Sequence, residues 1–224
     1  MEKLSQNFQG RKFSGRAALQ HAWMQSKGTI TLYLIYSCIG MFIITLLSRL
    51  FALKQCTDAI HYFALSYDGL FIHGWLHQLV TAPLMHLGIL NLLFNMFALW
   101  MLGPRVEWAL GKGRYLRFLI VCTGAVMAAH LALTCKSDQL FLGTSGVVFA
   151  ILTAQAVFFP NDEILLFFFP TRIKYAVLII AGVVLYMSIG PEGGTIANAS
   201  SLAGAAAALA FLRGRKLLGM IGGK

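Results

Sequence analysis

The chain has 224 residues, 58% of them apolar and 12% charged, with a formal net charge of +10. A soluble domain cannot hide that much apolar surface, so the solvent for most of the chain is lipid. With a cytoplasmic N-terminus, all of the 18 Lys and Arg except Arg49, Lys54 and Lys136 fall on inner segments, so the basic charge marks topology and nucleic acid is not an expected partner.

That asymmetry predicts an all-α polytopic membrane protein with six transmembrane helices and both termini inside. The apolar runs place the spans at 28–51, 86–103, 114–135, 145–159, 171–190 and 195–212. Residues 1–27 are polar, Arg-containing and poor in acid, which suits a cytoplasmic segment and leaves a transit peptide as the alternative. A cleaved signal peptide is not expected, because the first apolar run is long and lacks a small-residue cleavage site. The span domain is expected over 28–212, and 213–224 is expected as a basic cytoplasmic tail.

The outer connection 52–85 is long, half apolar and rich in aromatic rings, yet contains no run able to span. It is expected to lie in the interface, rings at headgroup level. Cys38 and Cys122 fall within spans and read as small hydrophobes. Cys56 and Cys135 both fall outside, where pairing is open.

Polar residues within spans are informative, because each is costly unless it finds a partner. In span two, Asn91 and Asn95 stand four apart on one face. They read either as interhelical glue or as donors to a developing oxyanion. His86 opens the same span. On the inner loop that follows, Gly103, Glu107 and Gly111 recur every fourth residue, setting a carboxylate between two points of close backbone approach.

Span four is short and opens with Gly143-Thr144-Ser145-Gly146. This is a good helix start, with Ser as a cap. A helix that starts below the membrane surface would also make Ser145 a nucleophile inside the membrane. Span six carries small residues at every fourth position, Ala199-Ala203-Ala207 beside Ser200-Gly204-Ala208, and span four offers a matching line in Gly146, Ala150 and Ala154. Such lines let membrane helices touch backbones, so spans four and six are expected to pack tightly. No His/Cys/Asp/Glu cluster has ligand spacing, so neither a metal nor an organic cofactor is expected.

The ordered set of six spans, interfacial first loop, "PLMHLGILNLLFN", "GPRVEWALG", "GTSG" and a small-residue span six resembles the rhomboid family of intramembrane serine proteases. The resemblance runs from about residue 60 to 212. It implies a rhomboid-like bundle in a multi-pass membrane protein, with the bacterial inner membrane as the expected location. It also implies a Ser–His dyad that cuts transmembrane segments of client proteins, reached from the bilayer through span five. Ser145 matches the serine, and Asn95, Asn91 and His86 match the oxyanion side of the site. Gly143, Gly146, Gly103, Glu107, Gly111 and Gly204 match the structural positions.

The departures bear on function. Aligning the family's span-six motif on Gly204 puts the general-base histidine at Ser201, and a hydroxyl cannot take a proton from Ser145 at neutral pH. Ala82 and Leu76 also replace polar residues, Asn91 stands where a histidine is usual, and His61, His73, His77 and His130 are not placed to substitute. The expectation is a rhomboid-like scaffold that binds client transmembrane segments within the lipid bilayer, with little or no proteolysis. The alternatives are an active serine endopeptidase in a parent form whose position 201 has been mutated from His, and, more remotely, a small transporter or channel.

Overall fold

The computed structural model describes residues 29–51, 56–134, 139–166, 169–173, 175–180 and 195–221. The helices are α1 (Ile30–Phe51), α2 (Cys56–Phe63), α3 (Tyr67–Phe71), α4 (Gln78–Thr81), α5 (Ile89–Leu110), α6 (Lys112–Thr134), α7 (Ser145–Phe158) and α8 (Thr195–Ile221). A 3-10 turn at Ala82–Leu84 follows α4, and strands β1 (Glu163–Leu166) and β2 (Phe169–Arg172) follow α7. Segments Ile30–Ser48, Ile89–Leu110 and Lys112–Thr134 are long and apolar enough to cross a membrane. Their outward faces carry large apolar side chains such as Tyr33, Phe94 and Ile120.

The remaining apolar stretches, Ser145–Phe158 and Ser200–Gly214, are shorter. α7 has 14 residues, about 21 Å at the rise of an α-helix, well under the thickness of a hydrocarbon core. It is accordingly enclosed by protein: Gly146, Val147, Ala150 and the run Ile151 to Gln155 are all buried. α7 lies between α5 and α8, with α6 behind both. Tyr115, Phe118, Cys122, Leu99, Ile151 and Ala208 meet in the central core. Cys38 and Cys122 are free and buried there, as small hydrophobes.

Glycine sets the α7–α8 contact. A Cβ on Gly204 would collide with the Gly146 carbonyl oxygen, and one on Gly146 would stand 2.6 Å from Val126 of α6. Three helices therefore touch at one level. Of the two small-residue lines on α8, Ser200-Gly204-Ala208 is the buried one, whereas Ala203 and Ala207 are half-buried; Ala150 and Ala154 answer it from α7.

The structure corrects several expected boundaries. Span two was expected at 86–103, but α5 starts after the extended Gly88 and runs through Pro104 to Leu110, ending where Gly111 turns to φ +76°. Gly103 and Glu107 are thus helical and not on a loop. Span five was expected from 171, but Thr171 and Arg172 belong to β2; helix resumes over residues 175–180, and the rest of that span lies outside the described residues. The hairpin adds a small antiparallel element to a fold expected to be all α, with register Glu163↔Arg172 through Leu166↔Phe169. A run of apolar residues uninterrupted by turn signals hid this hairpin, because periodicity alone cannot separate such strands from a helix. α8 continues through Ile221, so helix extends into the basic tail expected to start at 213. Cys135 lies outside the described residues, as do the side chains of Cys56 and Ala199.

Candidate active site

Residues 56–85 form a folded cap. Gln78 is fully buried; its carboxamide donates to the carbonyls of His61 (3.0 Å) and Tyr62 (3.3 Å) and accepts from Ser66 N–H (3.3 Å). Thr81 Oγ1 donates to Phe63 O at 2.7 Å, and His77 Nε2 lies 2.7 Å from Tyr62 O. A buried amide with several backbone partners fixes a loop that apolar burial alone would leave loose.

This cap holds the strand that leads to Ser145. Leu65 and Phe141 exchange backbone hydrogen bonds of 3.0 and 2.8 Å, and Gly143 N–H donates to Ala82 O at 2.9 Å. His130, buried on α6, places Nε2 3.1 Å from Gln139 O. Gly143 sits at φ +101°, a backbone region open to glycine and strained for other residues. The chain then turns straight into α7.

His86 belongs to the same support. Its Nδ1 lies 3.2 Å from Leu84 O and its Nε2 3.2 Å from Thr144 Oγ1. In the neutral ring Nδ1 carries the hydrogen and Nε2 accepts from the threonine hydroxyl. His86 is therefore turned to the residue before the serine and not to the serine itself. The sequence holds no signal for this pair, which spans 58 residues.

Ser145 is the first residue of α7, after Thr144 at the N-cap, and the Thr144 side chain caps no N–H. The helix-cap reading of Ser145 fails as well: its Oγ lies 3.3 Å from Ser201 Oγ on α8, 56 residues away in sequence. Ser201 is 3% exposed, whereas Ser145 is half-buried. At 3.3 Å the pair is a long, weak hydroxyl–hydroxyl contact. A serine hydroxyl is not a base at neutral pH, so neither can take a proton from the other.

The surroundings suit an oxyanion better. The first N–H groups of a helix lack intrahelical partners and carry the positive end of its dipole, and Ser145 sits among them. On α5, Asn95 is buried and Asn91 exposed. The Asn95 amide donates to Asn91 O (2.9 Å) and Asn91 Oδ1 (2.7 Å). Both Asn95 hydrogens are thereby committed to its neighbour, which leaves Asn91 as the carboxamide with donors to offer.

Gly103, Glu107 and Gly111 sit apart from this site and perform structural work. Glu107, 4% exposed, accepts from Ile30 N–H (2.9 Å), Thr31 N–H (3.0 Å) and Thr31 Oγ1–H (2.9 Å). A carboxylate of α5 thus caps the start of α1, where unpaired N–H groups and the helix dipole both favour negative charge. Tyr115 Oη lies 3.0 Å from Thr31 Oγ1 and closes the cluster. Gly103 makes the approach possible, since a Cβ there would run into the Thr31 methyl group.

The rhomboid domain matches residues 73–215. The chain belongs to the rhomboid family. Rhomboid protease GluP of Bacillus subtilis (strain 168) is 33% identical over 98 residues, covering 44% of this chain and 19% of that protein. Rhomboid protease GlpG of Pectobacterium atrosepticum is 28% identical over 128 residues, 57% of this chain and 42% of that protein. The putative rhomboid protease YdcA of B. subtilis is 32% identical over 91 residues, 39% and 44% respectively. This rhomboid chain spans less than half the length of these relatives. Family and apolar helices together make it a membrane protein built on an intramembrane protease scaffold. Among the described residues no group of three or more His, Cys, Asp or Glu could hold a metal.

Proposed function

We propose that this chain is a multi-pass protein of a bacterial inner membrane, both termini inside, whose rhomboid domain (28–212) binds transmembrane segments of client proteins. Ser145 is its nucleophile, and proteolysis is absent or strongly impaired because Ser201 occupies the place of the general base. The carrying observation is the contact itself: Ser201 Oγ is the group that α8 presents to Ser145 Oγ, at 3.3 Å. If acylation occurs, Ser145 Oγ attacks a client carbonyl and its proton has no imidazole to receive it. The Ser145 N–H at the start of α7 and the amide of Asn91, oriented by Asn95, would bear the developing oxyanion, with His86 supporting that side through Thr144.

One observation favours the second reading, an active serine endopeptidase whose base has been replaced in this chain. The Gly146–Gly204 contact and the Gly143 turn, which together set the distance between the two serines, are fully formed. Restoration separates the readings. Ser201→His is assayed on a model transmembrane substrate in liposomes beside the unaltered chain. A cut that rises by about 10²–10⁴-fold, the contribution of positioned proton transfer, and that vanishes with Ser145→Ala supports the assignment of both residues. Cutting by the unaltered chain at the rate of Ser201→His refutes the role given to Ser201. Silence of both chains leaves a scaffold that has lost more than its base.

A further inference from the structure

The segment 139–144, which delivers the chain to Ser145, is held at each end by a buried imidazole. At its start Gln139 O lies 3.1 Å from His130 Nε2, and at its end Thr144 Oγ1 lies 3.2 Å from His86 Nε2. Both rings are fully buried. His130 stands one turn before the end of α6 at Thr134, whose hydroxyl donates to the His130 carbonyl at 2.8 Å. Its ring lies 5.3 Å from that of Phe141, and Phe141 packs with Leu65, Ala82, Val126 and Met127.

The two nitrogens of His130 differ. A carbonyl only accepts, so Nε2 carries the hydrogen and donates to Gln139 O. Nδ1 is then a bare acceptor, and among the described residues it is buried without a partner. A protonated ring would carry a second N–H there with no acceptor to meet it, and a charge in apolar surroundings, which is costly. The neighbouring elements offer no compensating charge. α7, and α8 as far as Leu212, contain no ionisable residue. On the cap, His61, Asp68 and His73 are exposed and His77 is bonded to Tyr62 O. Lys136 and Asp138 lie outside the described residues, as does the Asp58 side chain.

We propose that His130 is a positioning residue for the turn that presents Ser145, and that it holds this turn only while its ring is neutral. The bond to Gln139 keeps the ring in its apolar pocket, and a proton on Nδ1 is stable only once water reaches it. When the segment opens locally, the open form takes up the proton, so closure weakens as pH falls. With an imidazole in water at its usual value of about 6.5, the open fraction rises about 30-fold between pH 8 and pH 5. In the expected orientation this end of α6 faces outside, so the hold responds to acid there. The consequence for activity rests on Ser145 being the working residue, whereas the hold itself does not.

Hydrogen exchange of the peptide spanning 139–144 tests it, in the full chain in lipid nanodiscs, with protection corrected for the intrinsic effect of pH. The bonded amides of Phe141 and Gly143 are the reporters. His130→Gln keeps a donor for Gln139 O and cannot titrate, while His86 and the exposed histidines stay in both chains. Between pH 8 and pH 5, protection is expected to fall about 30-fold further in the parent than in His130→Gln. His130→Leu, which has no donor, is expected to be poorly protected already at pH 8. A parent profile no steeper than that of His130→Gln overturns the proposal, and so does parent-like protection of His130→Leu at pH 8. Neither measurement depends on cleavage, so an inactive Ser145 would be a separate result.

Discussion

Gly204→Ala tests how tightly the two serines are set by helix packing. A methyl at this position overlaps the Gly146 carbonyl oxygen, stands 3.0 Å from its carbonyl carbon and 3.1 Å from Val126 Cγ2. Two of these are backbone atoms that cannot swing aside, so α8 must move away from α7 by about 1 Å. Overpacking of this kind destabilises by about 1–3 kcal/mol. The same movement acts one turn from Ser201. A displacement near 1 Å is enough to lower a positioned reaction by about 10²-fold. The assay has two parts: the unfolding midpoint in detergent for Gly204→Ala alone, and cleavage by Gly204→Ala combined with Ser201→His. Gly124→Ala on α6 is the control, since a Cβ there meets nothing within 4 Å; it is expected to be neutral or to stabilise by up to about 1 kcal/mol. If Gly204→Ala unfolds with the parent midpoint, the close approach of α7 and α8 is wrong, and with it the geometry of the site.

Glu107→Ala leaves three donors at the start of α1, two of them buried, without their acceptor; a loss of about 3 kcal/mol is expected from the size of charge-assisted bonds, and a change under about 0.5 kcal/mol would refute the cap. Gly111→Ala places a side chain at φ +76° and is expected to lose about 1–2 kcal/mol, read as a lowered midpoint. Thr144→Val removes the hydroxyl that faces His86 while keeping shape; in the Ser201→His chain, cleavage is expected to fall more than stability does, and parallel losses would make the pair structural only. A fluorophosphonate probe is expected to leave Ser145 unlabelled in the chain as it stands and to label it once Ser201→His is introduced. Labelling of the unaltered chain would show another base at work. Arg105→Ala, which opens the partly exposed ion pair with Asp162, is expected to shift stability by no more than about 1 kcal/mol.

Much of the membrane architecture was legible in the sequence because lipid imposes simple rules. Apolar length marked the three helices able to cross a membrane, and the small residues at every fourth position from Gly146 and along α8 marked the helix pair that meets. Ser201 was singled out by counting back from Gly204, and its Oγ lies 3.3 Å from Ser145 Oγ. What stayed hidden depends on partners far apart in the chain. Glu107 reads as one carboxylate between two glycines, and nothing local says that its partners are Ile30 and Thr31. His86 reads as a neighbour of the site, yet its ring is turned to Thr144. Gln78 sits in an apolar stretch where a lone amide signals burial but not which carbonyls it gathers. The hairpin was missed for a different reason: an unbroken apolar run carries no period of its own.

The capping of α1 by Glu107 bears on the order in which the molecule assembles. The acceptor for the Ile30 amide lies 77 residues further along the chain. A growing polypeptide that has delivered α1 to the bilayer therefore still has naked amides at its leading end, and must hold them in water or headgroups until α5 arrives. Tyr115, which completes the cluster, follows later still. Docking of the first helix therefore waits on residues of the second and third spanning helices, and the attachment of α1 reports that α5 and α6 have been made.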